Sequence, residues 1–269
     1  MPELPEVEIS RANLERWLAG RKLKDASVFD KRASGKQSKE CIRAALVGAT
    51  VKCVTRRGKF LLFELIPNRP RVVAHLGMTG RFTRVSTNQE TPKYTRVALE
   101  LSCGTRIIFS DPRRLGAFRL LDEREKSRLN ALGVEPLSQK FTSSHLEKLS
   151  RRSRRPIKTL LMDQTQIAGI GNIHATEALF LAKVHPGRRS SSLNRTEIQK
   201  LLRAIRKQLR QEINRSRSEN LLYVQQTRIN HFLIYGRPNQ PCADCGEKIT
   251  RFVQNSRSSY YCPSCQPEE

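Results

Sequence analysis

The sequence predicts an α+β multidomain protein in which an N-terminal β-sandwich with a flanking helix is followed by a helical domain and a zinc-stapled β-hairpin. Residues 22–121 contain runs of β-branched and aromatic residues bounded by Gly, Pro and polar clusters. Segments 156–182 and 194–213 space their apolar residues as helices do. Four cysteines near the C-terminal end form two C-x2-C pairs. The 269 residues suffice for one large domain or for about two to three smaller ones, each with its own core.

The first element is a helix that begins within the opening stretch MPELPEVE. Pro5 suits a first helical turn, and the glutamates complement the positive end of the helix dipole. One apolar stripe is expected along this helix, formed by Val7, Leu14, Trp17 and Leu18. The first two residues allow a second role, because a small residue at position 2 permits removal of Met1. Pro2 then carries a free secondary amine.

The β-sandwich is expected to contain four or more strands. The segments with strand character are VKCVTRRGKFLLFEL, RVVAHLGMTGRFTRV, TRVALEL and TRIIFS. The stretch LGVEPLSQKFTSSHLEKLSRRSRRP is predicted to be a linker into the helical region, where QIAGIGN and VHPGRRSSS interrupt the helices. From about residue 222 the pattern returns to strands and ends in the cysteine-rich module.

The charge of the chain predicts a polyanionic partner. It carries 50 Lys and Arg against 25 Asp and Glu, a formal charge of +25, and residues 140–219 alone contain 18 basic and six acidic side chains. No apolar run has the length of a membrane span, and no signal-peptide pattern follows Met1. Seven cysteines, an odd number, argue against a disulfide framework and for a reducing compartment. We therefore expect a cytoplasmic protein with no membrane partner.

The cysteine module predicts one structural Zn²⁺. Two C-x2-C pairs with 16 residues between them supply four thiolates, which close a tetrahedral site and leave no open coordination position. Iron–sulfur or redox chemistry is the alternative for such a set. The expected ligands are Cys242, Cys245, Cys262 and Cys265. Arg257 falls near the tip of the intervening hairpin, where a guanidinium can enter a nucleic-acid groove. The remaining cysteines are expected to be buried thiols, namely Cys41, Cys53 and Cys103.

Two further stretches carry candidate chemistry. In AGIGNIHATEALF, glycines and an asparagine precede a helix, which suits a backbone clamp on DNA phosphates but also an ordinary helix–helix turn. At the start of the chain, the α-amine of Pro2 has a reference pKa of about 7.7–8.0, far below the ~10.4 of lysine. Such an amine can add to an aldehyde-like sugar carbon and form an iminium, with Glu3 as proton donor and Lys59 as a second cation. The alternative is that these residues only begin the helix.

The chain resembles the formamidopyrimidine-DNA glycosylases from end to end. Motifs of that family occur in order as PELPEVE, RRGKFLLFEL, HLGMTGR, DPRRLGAF, LGVEPLS, DQTQIAGIGNIHATEALFLAKVHP, IYGRPNQPC and RSSYYCPSCQ. The related endonuclease VIII enzymes open differently. The resemblance implies three domains, a catalytic β-sandwich over 2–134, a helix–two-turn–helix domain over 135–225 and a zinc finger over 226–269.

The same resemblance implies a monomeric, nucleoid-associated enzyme of base-excision repair that acts on double-stranded DNA containing a damaged base or an abasic site. It has DNA glycosylase and abasic-site lyase activities. Pro2 is then the Schiff-base nucleophile at C1′, Glu3 the general acid at the sugar, and Glu6 a supporting carboxylate. Lys59 and Arg257 match the proton donors for β- and δ-elimination.

The resemblance also implies a set of DNA contacts. Asn172 and Arg257 match residues that pinch the phosphates around the lesion, and Arg154 lies close to another family contact. An enzyme of this kind turns its target nucleotide out of the stack. The side chains expected to fill the resulting void are Met78, Arg113 and Leu115.

Three departures from the family pattern bear on the preferred lesion. Leu115 replaces the usual phenylalanine, and Tyr94 stands where a DNA-contacting histidine is usual. The stretch YVQQTRINHFLIYGR is shorter than is typical and lacks the glycine-rich loop that covers a flipped 8-oxoguanine. Oxidised or ring-opened purines are the expected substrates, with oxidised pyrimidines or abasic sites as the alternative. A non-catalytic zinc-containing nucleic-acid-binding protein is the alternative from another class.

Overall fold

The computed structural model describes residues 2–218 and 230–268. Their contacts divide them into two compact units, one formed by residues 2–131 with 216–218 and the other by residues 132–215 with 230–268. The domain boundaries predicted after residues 134 and 225 stay predictions. The shortened loop that the sequence places within YVQQTRINHFLIYGR falls largely outside the described residues.

The first unit is a β-sandwich with helices around it. Two four-stranded antiparallel sheets have the strand orders β1-β6-β7-β5 and β2-β3-β4-β8. The strands are β1 Leu23–Val28, β2 Thr50–Arg57, β3 Phe60–Ile66, β4 Val72–His75, β5 Arg81–Ser86, β6 Thr95–Leu101, β7 Thr105–Ser110 and β8 Ala117–Leu120. The helices are α1 Leu4–Leu18, α2 Lys31–Ser34, α3 Lys39–Leu46 and α4 Glu123–Asn130.

One apolar core joins the two sheets and α1. Phe63 contacts Phe82 and Phe118 through ring pairs with centroids 6.1 and 5.8 Å apart, and Phe82 stacks on Phe109 at 4.8 Å. The stripe predicted for the opening helix is buried in this core at Val7, Leu14, Trp17 and Leu18. The predicted sandwich and its flanking helix are therefore confirmed.

The second unit contains the predicted helices and the hairpin. Its elements are α5 Ser143–Arg151, α6 Ile157–Met162, α7 Asn172–Ala182, most of α8 Arg195–Ser218, β9 Thr250–Gln254 and β10 Arg257–Tyr261. The antiparallel pair β9–β10 turns at Asn255 and Ser256, which both adopt positive φ. Arg257 is the first residue of β10, next to that tip, as the sequence predicts.

The structure differs from the sequence prediction in several short elements. Helices α2 and α3 interrupt a region expected to be mostly strands. The expected linker contains α5, which Thr142 caps by accepting a hydrogen bond from the backbone N–H of His145 at 3.1 Å. Residues 230–249, expected to continue the strand pattern, contain no strand.

The expectation for the three unpaired cysteines was wrong. Cys41 and Cys103 are exposed, and Cys53 is only partly buried. Cys53 lies on β2, where its side chain contacts Glu64 on the neighbouring strand. The hydrophobic character of a thiol is therefore not sufficient to predict that a cysteine is buried.

Candidate functional site

The start of α1 places two glutamates at one helix end. Glu3 is the N-cap residue, and its side chain accepts a hydrogen bond from the backbone N–H of Glu6. The Glu6 carboxylate in turn accepts the N–H of Glu3 at 2.7 Å, which completes a capping box. Glu3 is 2% exposed, so its carboxylate is buried and fixed at the N-terminus of α1, one residue after Pro2 in the chain.

The turn between β2 and β3 carries Lys59, which is 7% exposed. Polar contacts connect this turn to α1. Glu8 on the helix pairs with the Arg56 guanidinium at 3.1 Å, and that guanidinium donates to the carbonyl of Gly58 at 2.8 Å. Lys59 is the next residue along the chain, so these contacts fix the turn relative to the helix.

The direction of α1 brings its first residues toward the same turn. Glu15 accepts a hydrogen bond from the backbone N–H of Val54, whereas Glu8, two turns earlier in the helix, contacts Arg56, which is further along β2. Moving toward the start of the helix therefore means moving along β2 toward the turn. Pro2 and Glu3 lie at this end of the helix.

His75, which the sequence analysis did not single out, borders the same region. It pairs with Phe60 across β3 and β4, and the two rings lie 4.9 Å apart. Burial and the nearby positive charges of Lys59 and Arg128 lower the pKa of His75 to about 4. The imidazole is therefore neutral at physiological pH. A histidine within an apolar β pattern carries no sequence signal for such a shift.

Four residues predicted to contact DNA lie on loops of the sandwich. Leu115 is 52% exposed and Tyr94 is 56% exposed. Arg113 is also exposed, and Met78 is partly buried. An apolar side chain at position 115 could also have belonged to the core, but Leu115 faces solvent.

In the second unit, a pocket of about 300 Å³ lies among α6, the N-terminus of α7 and the zinc hairpin. Asn172 and Arg257 both line it. Asn172 opens α7 and donates from Nδ2 to the carbonyl of Ser258 at 3.1 Å. The remaining lining residues are Arg155, Lys158, Thr159, Met162, Asp163, Gln254 and Asn255.

The pocket is suited to an anion. Among its lining residues Asp163 is the one acidic side chain, and Arg155 pairs with it at 3.0 Å. Lys158 and Arg257 add two positive charges, and the N-terminus of the eleven-residue α7 adds a favourable dipole. Arg154 is exposed and does not line the pocket, while its neighbour Arg155 does.

Lys158 is the residue that sequence reasoning missed here. It is 2% exposed and donates from Nζ to the Ser258 carbonyl at 3.1 Å and to the Ser259 hydroxyl at 2.7 Å. These contacts fix β10 beside α6. The available signal was a lysine between apolar helix residues, which by itself also fits a side chain that extends to solvent.

The four predicted zinc ligands converge. Their sulfur atoms all lie within 4.8 Å of one another, and thiolates about 2.3 Å from a tetrahedral zinc are roughly 3.8 Å apart. A hydrogen bond from the backbone of Glu247 lowers the pKa of Cys245 to about 7, which favours a thiolate. Burial raises the pKa of Cys262 and Cys265, and a bound zinc ion supplies the charge that allows both to ionise. The cluster binds one structural zinc ion.

Comparison with known proteins covers the whole of this architecture. Family models match the Formamidopyrimidine-DNA glycosylase N-terminal domain over residues 1–118, the H2TH domain of the same enzymes over 132–221, and the zinc finger found in FPG and IleRS over 239–267. The Formamidopyrimidine-DNA glycosylase of Herpetosiphon aurantiacus is 38% identical over 99% of this chain and 100% of its own.

Solved structures agree. Lactococcus lactis Fpg bound to DNA containing an abasic site superposes with a TM-score of 0.89 at 28% identity, over 98% of this chain and 99% of its own. The same protein has been solved with FAPY-dG and with an oxidized pyrimidine in the DNA. A MutM complex with carbocyclic 8-oxo-G DNA has a TM-score of 0.89 at 30% identity, over 99% and 100% of the two chains.

A β-sandwich, an H2TH domain and a four-cysteine zinc finger in this order define a DNA repair glycosylase. The chain belongs to the formamidopyrimidine-DNA glycosylase family. Within residues 2–218 and 230–268, none of the helices combines the length and the apolar character required to cross a bilayer.

Proposed function

We propose that this glycosylase is bifunctional, so that it removes a damaged base and then cleaves the strand at the resulting abasic site. The observation that carries the proposal is the fixed, buried carboxylate of Glu3 beside Pro2, at the end of α1 that faces the Lys59 turn. A nucleophilic amine, a general acid and a second proton donor are the groups that this chemistry requires.

The first step joins Pro2 to the sugar. After removal of Met1, the lone pair of the Pro2 nitrogen bonds to C1′ of the damaged nucleotide, and the C1′–N bond breaks with its electrons leaving on the base. The N–H proton of the Pro2 nitrogen passes to the departing base. Glu3 then protonates O4′, so that the C1′–O4′ bond opens and the lone pair of the proline nitrogen forms the iminium. The positive nitrogen is the electron sink for the later steps.

Two eliminations then cut the strand. Loss of a proton from C2′ breaks the C3′–O bond and releases the 3′ phosphate, and loss of the C4′ proton breaks the C5′–O bond. Lys59 serves as proton donor in the first elimination and Arg257 in the second. Water hydrolyses the iminium and returns Pro2 to its free form.

The remaining site residues bind the DNA. The pocket lined by Asn172 and Arg257 accepts backbone phosphates, because it combines positive charge with a helix N-terminus. Met78, Arg113 and Leu115 enter the void left by the extruded nucleotide. Tyr94 and Arg154 contact the flanking backbone.

For substrates we propose oxidised and ring-opened purines in double-stranded DNA. The complexes of relatives with FAPY-dG and with carbocyclic 8-oxo-G support this class. Leu115 favours a second candidate, oxidised pyrimidines or abasic sites, since an exposed leucine fills less of the void than an aromatic ring. We further propose a cytoplasmic, nucleoid-associated monomer.

Borohydride trapping tests the proposal. The purified protein, with removal of Met1 verified by intact mass, is incubated with abasic-site duplex and reductant. We expect a covalent adduct through residue 2. Pro2→Leu is the matched control, because a large second residue retains Met1 and abolishes the secondary amine. An adduct with the control, or none with the wild-type chain, would contradict the proposal and favour a non-catalytic binder.

The lesion class has its own test. Single-turnover excision is compared on duplexes that contain 8-oxoguanine, a formamidopyrimidine or an oxidised pyrimidine, and strand cleavage is measured on a duplex that contains an abasic site. We expect the ring-opened purine to be excised faster than the pyrimidine. Substitution of Leu115→Phe is expected to raise the rate on 8-oxoguanine relative to the other lesions, and an unchanged ratio would show that the size of this side chain does not set the preference.

A further inference from the structure

We propose that Asp111 is a positioning residue that joins the DNA-facing loops of the sandwich into one rigid wedge. The wedge loops are residues 76–80, which carry Met78, residues 92–94, which carry Tyr94, and residues 111–116, which carry Arg113 and Leu115. The inference rests on the proposed function, in which Met78, Arg113 and Leu115 occupy the space of an extruded nucleotide and Tyr94 contacts the flanking backbone.

The Asp111 carboxylate contacts two of the three wedge loops. It is 1% exposed. Oδ1 accepts hydrogen bonds from the Thr79 hydroxyl and from the backbone N–H of Arg113, the latter at 3.2 Å. Oδ2 accepts the backbone N–H of Gly116 at 2.7 Å. The Asp111 side chain therefore fixes the Met78 loop through Thr79. It also fixes the backbone on both sides of Leu115, at Arg113 and at Gly116.

The backbone of Asp111 connects the third loop. Its N–H donates to the carbonyl of Tyr94 at 3.0 Å, and its own carbonyl accepts the Arg96 guanidinium at 2.8 Å. Tyr94 adopts a positive φ of 63°, a conformation that a tyrosine needs tertiary contacts to maintain. The hydrogen bond from Asp111 is one such contact.

The loops also pack backbone against backbone. A Cβ atom added to Gly77, which has φ of +62°, would lie 2.6 Å from the backbone nitrogen of Gly116 and from the carbonyl carbon of Leu115. Glycine is therefore required at position 77 for both conformation and space. With contact this close, the Met78 loop cannot shift without displacing the Leu115 loop.

A wedge of this kind works by being ordered in advance. Side chains that enter a base stack from ordered loops lose little conformational entropy on insertion, whereas loosened loops must be ordered at that moment. The contribution of Asp111 should therefore appear when a paired base is extruded. It should be small at an abasic site, where no base has to be unpaired and the later chemistry belongs to Pro2, Glu3 and Lys59.

Two substitutions separate the hydrogen bonds from the fold. Asp111→Asn keeps the shape but replaces one acceptor oxygen with an amide donor, so that either the Gly116 N–H or the Thr79 hydroxyl loses its acceptor. In the second case the Arg113 N–H retains the Thr79 oxygen, to which it also donates at 3.2 Å. Thr79→Val removes only the hydroxyl, and Thr79→Ser restores it. Asp122→Asn is the matched control, because Asp122 caps α4 and contacts none of the wedge loops.

The experiment compares single-turnover excision of a lesion in paired duplex with strand cleavage at a preformed abasic site. For Asp111→Asn we expect excision to fall by about 10- to 100-fold and abasic cleavage by less than about threefold. Thr79→Val should lower excision by about fivefold, while Thr79→Ser and Asp122→Asn stay within about twofold of the wild-type rate. Fluorescence of 2-aminopurine beside the lesion should show slower insertion of the wedge in the same order.

An equal loss on both substrates would overturn the proposal, since it would show that Asp111 supports the site in general. Wild-type rates for Thr79→Val would also overturn it, and this result remains decisive if Asp111→Asn fails to fold. If the wild-type chain excises no lesion, the proposed function fails instead. The 2-aminopurine signal on binding then still reports whether Thr79→Val and Thr79→Ser differ, as Asp111 positioning requires.

Discussion

The sandwich and the zinc hairpin are made rigid by different means. The core of the sandwich contains 25 buried residues, contributed by both sheets, by α1 and α3 and by the segments that adjoin them. The cluster beneath the hairpin contains five, namely Phe180, Ile234, Cys242, Ile249 and Cys262. Because apolar burial scales with area, the hairpin obtains far less stability from this source than the sandwich does.

Polar contacts and the metal supply what the small cluster lacks. Glu177 on α7 is 1% exposed and accepts the backbone N–H groups of three consecutive residues, Leu233, Ile234 and Tyr235, at 2.9, 3.0 and 2.8 Å. Lys158 binds the other side of the hairpin through Ser258 and Ser259. The comparison indicates that the residues proposed for catalysis lie on an apolar scaffold and that the proposed phosphate pocket lies on a polar, metal-dependent one.

The largest expected effect is loss of the zinc site. Cys262→Ser removes a buried ligand, and structural zinc contributes on the order of 10 kcal/mol to folding of such modules. We expect zinc content to fall from one ion per chain and hydrogen-exchange protection to disappear over 242–266, while the sandwich stays protected. DNA affinity should drop by about tenfold or more, since the phosphate site must then be ordered on binding.

Cys103→Ser is the matched control, because Cys103 is exposed and outside the cluster. Loss of protection in the sandwich as well would show that the two regions do not differ in their dependence on the metal. Zinc is measured by metal analysis and protection by mass spectrometry.

The second prediction concerns the chemistry assigned to the sandwich. Glu3→Gln keeps a side chain able to cap α1 but removes the general acid, and such groups contribute about 10²–10⁴-fold. Excision of an intact lesion base should fall by this factor while the affinity for lesion DNA remains within about threefold of wild type. The measurements are single-turnover excision and equilibrium binding, with the exposed Glu40→Gln as control. Weakened binding of the same size would mean that Glu3 acts in recognition.

A smaller effect is a pH dependence of the stability of the sandwich, caused by His75. The folded-state pKa of His75, about 4, lies below its ordinary value of 6.5. Between these values the unfolded chain binds a proton that the folded chain does not, so the free energy of unfolding falls as pH falls from 6.5 to 4. The expected loss from this residue is about 3 kcal/mol. The free energy of unfolding in urea is measured at several pH values for wild type and for His75→Gln. The difference between the two proteins should become smaller as the pH falls, whereas a constant difference would exclude this cause.

The smallest prediction addresses the polar anchor of the hairpin. Glu177→Gln replaces one acceptor oxygen with an amide NH2 group, so at least one of the three backbone N–H groups at 233–235 loses its acceptor. The expected cost is about 1–3 kcal/mol of the free energy of unfolding. Urea unfolding and hydrogen exchange at those amides measure it. The control is Glu147→Gln, whose partner Arg151 is exposed and one helical turn away. A change no larger than the control would leave the metal as the main support of the hairpin.

Prediction from sequence succeeded where spacing alone determines structure. The apolar stripe of α1 follows the spacing of a helix, and the two C-x2-C pairs have the spacing of a zinc site, so both could be predicted from positions in the sequence. Helices α2, α3 and α5 were missed because four to nine residues contain too few turns for a periodic pattern to emerge. Their caps at Asp30, Ser38 and Thr142 were the remaining signal.

Buried polar residues were the part that could not be predicted. The sequence alone does not distinguish Asp111, Lys158 and Glu177 from exposed charged residues. They are buried beside hydrogen-bond partners that lie far away along the chain. Lys158 contacts a residue 101 positions later, and Glu177 contacts a backbone segment 56 to 58 positions later. The family resemblance predicted residues that contact DNA, but not the residues that hold them in position.

The ion pair at Arg114 shows that the adjacent arginines of DPRRLGAF are not interchangeable. Arg114 adopts φ of 57° and donates from two nitrogens to Asp30 at 2.5 and 2.8 Å, which lowers the pKa of that carboxyl to about 2. Arg113 is left pointing to solvent. A deletion of either codon would give the same protein sequence with a single arginine at this point. That arginine could form the Asp30 ion pair or make the DNA contact proposed for Arg113, but not both. Two identical neighbouring residues therefore differ in function, since one is bound to Asp30 and the other is exposed to solvent, and the sequence alone does not distinguish them.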